Sequence, residues 1–231
     1  MPKIFAISDL HLSFSTNKPM NVFGARWDNY EERLAENWQR VVAPEDIVLM
    51  PGDTSWTTYI KDGVADFDYI HRLNGTKLIS KGNHDYWWET LTKLNGFLDS
   101  NGFSSIRFIH NTNVVAGNTV ICGTKGYPET EREPESPEEK KLYNRELVRL
   151  ENAIADAKKT GAEHMIVMLH YPPGPNTAFA RCMQENGVDI CVFGHLHGTY
   201  ENAVQGDVRG VCYRLVSSDY LKFMPLEIGA F

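Results

Sequence analysis

Residues 78–85 read Leu78-Ile79-Ser80-Lys81-Gly82-Asn83-His84-Asp85, a short apolar run followed by a polar tetrad. At average residue frequencies the tetrad 82–85 is expected roughly once in a thousand chains of this length. A glycine at its start allows the backbone to turn sharply and to approach a ligand closely. This stretch therefore predicts a strand whose carboxyl end opens into a loop built for chemistry.

Four more apolar runs, at residues 4–7, 47–50, 165–169 and 190–193, end in polar groups in the same way. The groups that follow them are Asp9 and His11, then Asp53 after Gly52, then His170, then His195 and His197. Ligands of open α/β sheets bind beyond the carboxyl ends of the strands, so we expect these loops to converge on one crevice. In an extended segment, side chains two positions apart project to the same side, so each pair is expected to face one metal cluster.

The donors in these loops are carboxylate, amide and imidazole groups. Oxygen and nitrogen donors of this kind suit divalent metal ions, and no thiolate belongs to the pattern. The cysteines have no C-x-x-C spacing, and we expect reduced thiols that lie mostly in the core; they are Cys122, Cys182, Cys191 and Cys212. The composition of the loops therefore predicts a metal site without sulfur.

The segments between the first three apolar runs carry helical patterns. Leu34, Trp38 and Val41 share one helical face, and residues 59–73 repeat the pattern less regularly. This alternation predicts parallel strands joined by right-handed crossovers.

The second half of the chain is richer in strands. Ala116-Gly117-Asn118-Thr119 is typical of a hairpin turn, and further apolar runs make a second sheet the expected arrangement. Between them, Ser136-Pro137-Glu138-Glu139 has the N-cap, first-position proline and capping-box glutamate of a helix that ends at Gly161. We expect two sheets packed face to face with helices outside, in a single domain over residues 1–231.

Length and charge limit the classes of partner. The chain has 231 residues and a formal net charge of −7, which gives no broad basic face for extended nucleic acid. Neither the N-terminus nor any later apolar run resembles a signal peptide or a membrane span, so we expect a soluble cytoplasmic protein with no membrane partner. The proline- and glutamate-rich residues 127–139 are expected to form a solvated loop, with a functional lid as the alternative.

The blocks D-x-H, G-D, G-N-H-D, H and G-H-x-H, in this order, resemble the calcineurin-like metallophosphoesterase superfamily. The resemblance spans residues 9–197 and implies a four-layer αββα sandwich with two mixed β-sheets and a dinuclear metal centre. It implies that Asp9, His11 and His197 hold one ion, that Asn83, His170 and His195 hold the other, and that Asp53 bridges both. It also implies that His84 contacts the phosphate and protonates the leaving oxygen. The cofactors expected are two divalent ions, Mn, Fe or Zn.

One departure from that pattern narrows the expected substrate. Members that dephosphorylate proteins carry an acid three residues after the bridging aspartate and then an arginine, where this chain has Trp56 and Thr57. We therefore expect a small phosphomonoester or phosphodiester, with nucleotides among the candidates, hydrolysed by metal-activated water. As a phosphate-binding substitute we suggest Arg26, with Trp27 as an aromatic platform.

Two alternatives to a small-molecule phosphohydrolase stay open. A nuclease of the same fold would need a local basic track, and a non-catalytic metal-binding scaffold would not need His84 or a full ligand set. This chain retains every ligand of the pattern as well as His84, which favours hydrolysis. The substrate, the metal and the oligomeric state are left open by the sequence.

Overall fold

The computed structural model describes residues 2–128, 134, 136–201 and 203–229, and these residues form two β-sheets. The first sheet has the order β11-β1-β2-β3-β4, where the strands are β1 Ile4–Ala6, β2 Ile47–Pro51, β3 Thr76–Ser80, β4 Ile106–Ile109 and β11 Leu226–Gly229. The strands β1 to β4 are parallel and β11 pairs antiparallel with β1.

The second sheet has the order β5-β6-β7-β8-β10-β9. Its strands are β5 Asn113–Ala116, β6 Thr119–Thr124, β7 His164–Leu169, β8 Ile190–Phe193, β9 Gly206–Val208 and β10 Val211–Leu215. The four inner strands are parallel, whereas β5 and β9 form antiparallel edges. Both sheets are therefore mixed, and the predicted hairpin at 116–119 is confirmed as the β5–β6 turn.

Helices cover the outer face of each sheet. The helices are α1 Tyr30–Val41, α2 Val64–Arg72, α3 Leu91–Asn101, α4 Pro137–Lys158 and α5 Ala178–Glu185, with short 3-10 turns at Met20–Phe23, Ala25–Trp27 and Ile60–Asp62. Residues of α1, α2 and α3 pack in one core cluster with the first sheet, and residues of α4 and α5 pack in another with the second. The predicted capping box is confirmed, because Ser136 and Glu139 exchange side-chain to backbone hydrogen bonds.

A third apolar cluster lies between the two sheets. Strand alternation builds it: Ile166 and Met168 of β7 point into this cluster, while Met165, Val167 and Leu169 point toward the helices. The inner faces of β1, β2 and β3 meet these residues. The layers therefore follow the order helices, sheet, sheet, helices, which confirms the four-layer αββα sandwich expected from the sequence.

Three other expectations bear on the fold. The four cysteines are free thiols, and all except Cys212 are buried, as expected. Among the helices that the structure describes, none is both long and apolar enough to cross a lipid bilayer. The expectation for the acidic loop falls largely on residues 129–133 and 135, which lie outside the described residues.

Candidate metal centre

Strained backbone brings the strand-end loops together. Asp9, His11, Asp53 and His195 all have positive φ values, from 46° to 72°, in a region that costs a non-glycine residue roughly 1–2 kcal/mol. Asp9 and His11 are therefore not extended, and the alternation expected to align each pair is not the cause of their proximity. Such strain is typical of functional sites, where the surrounding structure fixes the backbone.

The first candidate ligand group consists of Asp9, His11 and His197, whose ligand atoms all lie within 4.8 Å of one another. The Nε2 atoms of His11 and His197 are 3.3 Å apart, and His197 Nε2 lies 3.5 Å from Asp9 Oδ1. Burial opposes the charge of Asp9, but its hydrogen bond and charge interaction with His197 lower the Asp9 pKa overall. This carboxylate is therefore ionised and faces two imidazole nitrogens.

The second group consists of Asp53, His170 and His195, again with all ligand atoms within 4.8 Å. His195 and His197 thus belong to different groups. Asp53 Oδ2 lies 3.5 Å from His170 Nε2 and 3.7 Å from His11 Nε2. One oxygen of Asp53 therefore lies close to both groups.

The donors around His170 test whether a metal ion fits. His170 Nδ1 lies 3.0 Å from the carbonyl oxygen of Pro51, so Nδ1 donates and Nε2 presents a lone pair. Asn83 Oδ1, a second lone-pair atom, lies 2.6 Å from Nε2. Burial lowers the pKa of His170 to about 4, so the ring is neutral near pH 7. A divalent cation satisfies both lone pairs, and the site therefore fits a metal.

Asp85 holds the loops that carry Asp53 and Asn83. Its Oδ2 accepts hydrogen bonds from the backbone N–H groups of Asp53 at 2.9 Å and Gly82 at 2.7 Å. Its Oδ1 accepts from Thr54 N–H at 2.9 Å. A Cβ atom on Gly82 would lie 2.1 Å from Asp53 Oδ1, so only glycine allows this approach. Asp85 therefore fixes the backbone around the site.

His84 lies beside both groups without belonging to either. Its backbone N–H donates to Asp53 Oδ1 at 2.8 Å, and its ring packs 4.6 Å from the ring of Trp56. Trp56 also stacks on His11 at 4.8 Å, and the ammonium of Lys18 lies 5.0 Å from the Trp56 ring centroid. Trp56 therefore contacts two predicted site residues, although in the sequence it stood out only as the replacement for an acid.

Asp219 contacts the candidate site and was not predicted from the sequence. Its Oδ1 lies 2.9 Å from His197 Nδ1, and its Oδ2 accepts a hydrogen bond from Tyr200 at 2.7 Å and pairs with Arg26 Nε at 3.3 Å. Burial alone would lower the pKa of His197, but its hydrogen bonds with Asp219 and Asp9 raise this pKa to about 10. Its signal in the sequence is weak, because Asp219 comes three residues after the apolar run 211–216 and belongs to no spaced motif.

The structure places Arg26 and Trp27 at the edge of the first group. Arg26 pairs with Asp219, as described, and its guanidinium is half exposed. The Trp27 ring is buried and packs edge-on against Tyr30 and Phe223, with His197 5.8 Å away. This packing favours a structural role for Trp27 in the core, and the substrate-binding role of Arg26 and Trp27 stays a prediction.

Two stacked mixed sheets whose strand ends carry adjoining aspartate and histidine groups define the metallophosphoesterase class. The family model described as calcineurin-like phosphoesterase matches residues 2–199, and the chain belongs to this family. Among curated proteins, none matches the chain significantly.

Several solved structures are similar in fold. A protein of unknown function from Aquifex aeolicus aligns with a TM-score of 0.54 at 15% identity, over 98% of this chain and 95% of its own. A phosphopantetheinyl hydrolase from Mycobacterium tuberculosis aligns with a TM-score of 0.54 at 12% identity, over 94% of this chain and 89% of the hydrolase. A Thermus thermophilus protein aligns with a TM-score of 0.57 at 14% identity, over 84% of this chain and 82% of that protein. At these identities the likeness concerns the fold alone.

Proposed function

We propose that this chain is a phosphohydrolase with a dinuclear metal centre, and that it hydrolyses a small phosphomonoester or phosphodiester, with nucleotides among the candidates. The observation that carries the proposal is the position of Asp53 Oδ2, within 3.7 Å of an imidazole nitrogen from each ligand group. A carboxylate so placed suits a bridge between two ions.

Seven side chains would hold the ions. Asp9, His11 and His197 would hold one, Asn83, His170 and His195 the other, and Asp53 would contact both. The oxygen and nitrogen donors suit Mn, Fe or Zn. When bound, two such ions neutralise charge on the phosphoryl oxygens and lower the pKa of the attacking water.

His84 is the proton donor in this proposal. Burial lowers the pKa of His84 in the free protein. The His84 ring packs against Trp56, which stands where phosphoprotein-specific relatives carry an acid. A phosphate anion beside the ring favours the imidazolium form, because an opposite charge at short range raises a histidine pKa. His84 then holds a proton next to the leaving oxygen only when substrate is bound.

Arg26 is proposed to assist substrate recognition at the rim. Its guanidinium is half exposed beside the Asp219 and His197 pair, and arginine suits bidentate contact with phosphate. Replacing Arg26 with alanine should raise KM for the true substrate and leave the metal content unchanged. An unaltered KM across the active substrates would dismiss this role.

A phosphate-release screen tests the function directly. The manganese-loaded protein is incubated with nucleotides, cyclic nucleotides, sugar phosphates, model diesters and phosphopantetheine esters. The proposal predicts turnover of at least one class, lost in Asp53→Asn and kept in Asp99→Asn, which removes an acid outside the site. Full metal loading without release from any substrate would contradict hydrolysis and favour a scaffold.

A further inference from the structure

A small cavity, of about 80 Å³, lies beside the metal centre and takes no part in the proposed chemistry. It is lined by the ends of β4 and β6, the residue before Gly82, and one face of α4. The charged side chains around it are Lys81, Lys125, Arg145, Arg149 and Glu146.

Positive charge dominates this cavity. Four cations face one carboxylate, so the described lining carries an excess of three positive charges. Glu146 is buried, and both of its carboxylate oxygens accept hydrogen bonds. Oε1 accepts from Arg149 at 2.6 Å and from Arg145 at 3.4 Å, and Oε2 accepts from Thr124 at 2.8 Å. Glu146 therefore holds the two arginines in place without neutralising the cluster.

Within the part of the chain that the structure describes, the side chains of Lys81 and Lys125 form no hydrogen bond and no ion pair, and the Lys125 ammonium lies 5.6 Å from the ring centroid of Tyr171. Burial lowers the pKa of Lys125, and the charge of Glu146 opposes this; the charges of Lys81, Arg145 and Arg149 lower it further, so the net shift is downward. Gathered like charges destabilise a folded chain, so the cluster points to an anion that compensates them.

The cavity adjoins the second ligand group. Lys81 directly precedes the Gly82-Asn83 loop, and the carbonyl oxygen of Lys125 accepts from the backbone N–H groups of His170 at 3.1 Å and Tyr171 at 3.0 Å. The Tyr171 ring in turn packs 4.6 Å from the His195 ring. A molecule held at the metal centre thus has a cationic cavity next to the His170 side of the site.

We propose that this cavity binds a phosphate group of the substrate, separate from the phosphoryl group that is hydrolysed. The inference rests on the proposed function and specifies it: the preferred ester carries two phosphate groups joined by a spacer. Arginines held by Glu146 provide planar donor pairs and the lysines provide point charges, a combination that suits a tetrahedral oxyanion.

Binding is tested apart from catalysis. Inorganic phosphate is titrated calorimetrically into the full chain kept free of metal by EDTA, with circular dichroism as the check on folding. We expect the parent to bind one phosphate per chain. The double variant Lys125→Gln/Arg145→Gln should bind phosphate about 10–100-fold more weakly, because it lacks two charged hydrogen-bond donors. The matched control Lys141→Gln, on α4 but outside the lining, should bind as the parent does.

Selectivity is tested on the manganese-loaded enzyme with alkanediol bisphosphates and alkyl monophosphates of equal chain length. The parent should prefer a bisphosphate by about tenfold or more in kcat/KM, and the double variant should lose this preference while keeping its monophosphate rate. No phosphate binding, binding unchanged in the double variant, or an equal loss on both substrates would overturn the inference. Phosphate bound at the cavity without hydrolysis of any ester would instead contradict the proposed function.

Discussion

At the scale of single residues, the site depends as much on the partners of its ligands as on the ligands. Asp219 binds His197 Nδ1 and leaves Nε2 free to face Asp9 and His11. Pro51 does the same for His170 through its carbonyl oxygen. Each imidazole is therefore held in one orientation, which strengthens a histidine as a metal ligand.

Asp219→Asn should weaken manganese binding by about 10–100-fold, because the His197 ring loses the carboxylate that orients it. The dissociation constant is measured by calorimetry, and Asp207→Asn, an exposed acid on β9, serves as the matched control. An affinity equal to that of the control would show that Asp219 has no part in the site.

His84→Ala should slow hydrolysis of alkyl esters by about 10²–10⁴-fold and change p-nitrophenyl esters far less, because p-nitrophenolate leaves without a proton. The ratio of the two kcat values in parent and variant is the measurement. An equal loss of kcat on both kinds of ester would show that His84 positions the phosphate and does not act as an acid.

Manganese affinity should rise with pH between 6 and 8. Burial and the charges of Asp85 and Asp9 raise the pKa of Asp53 to about 9, and His197 has a pKa of about 10. Both groups therefore carry protons in this range, and a bound ion must displace these protons. His11 is already neutral, since burial lowers its pKa to about 3. Each proton released adds about a tenfold gain in affinity per pH unit. Calorimetry at pH 6, 7 and 8 checks this, and a flat profile would contradict it.

At the scale of elements, the loops at the carboxyl ends of β1, β2, β3, β7 and β8 carry the predicted ligands, as the polar groups after the apolar runs indicated. The sequence did not reveal α3, because Asn95-Gly96 in its middle is typical of a turn. Packing overrides that local preference, since Leu94, Phe97 and Leu98 fill the core on both sides of the pair. Short β4 was missed because its four residues carry little pattern.

Lys77 shows how one element depends on another. It lies in β3 with its side chain fully buried, and its ammonium donates to the carbonyl oxygens of Leu73 and Gly75 after α2. Lys77→Met should lower the free energy of unfolding by about 1–3 kcal/mol, because these carbonyls lose their partner. Urea denaturation measures the change against Lys61→Met, an exposed control, and equal stability of the two variants would refute the capping role.

At the scale of the whole molecule, the parallel strands of both sheets end at one edge, and this edge gathers residues far apart in sequence. The seven candidate ligands could be predicted because each follows a recognisable apolar run. The partner of His197 could not, since a single acid such as Asp219 looks like any surface carboxylate until the β10 loop is placed. The cationic cavity was equally hidden, because Lys81, Lys125 and Arg145 come from three separate segments.

The distribution of charge also belongs to the whole molecule. The chain carries −7, yet a cavity with excess positive charge adjoins a site that two divalent ions would make positive. The proposed substrate, a small anionic ester, would be attracted to this edge.

The metal content of the reconstituted protein tests the central claim most directly. After incubation with manganese or zinc and removal of free ions, elemental analysis should find about two ions per chain for the parent, because the donors form two groups that share Asp53. Asp53→Asn should lose both ions together, since the variant lacks the shared charge, while Asp99→Asn should retain them. A reproducible content of one ion or none in the parent would contradict the dinuclear centre.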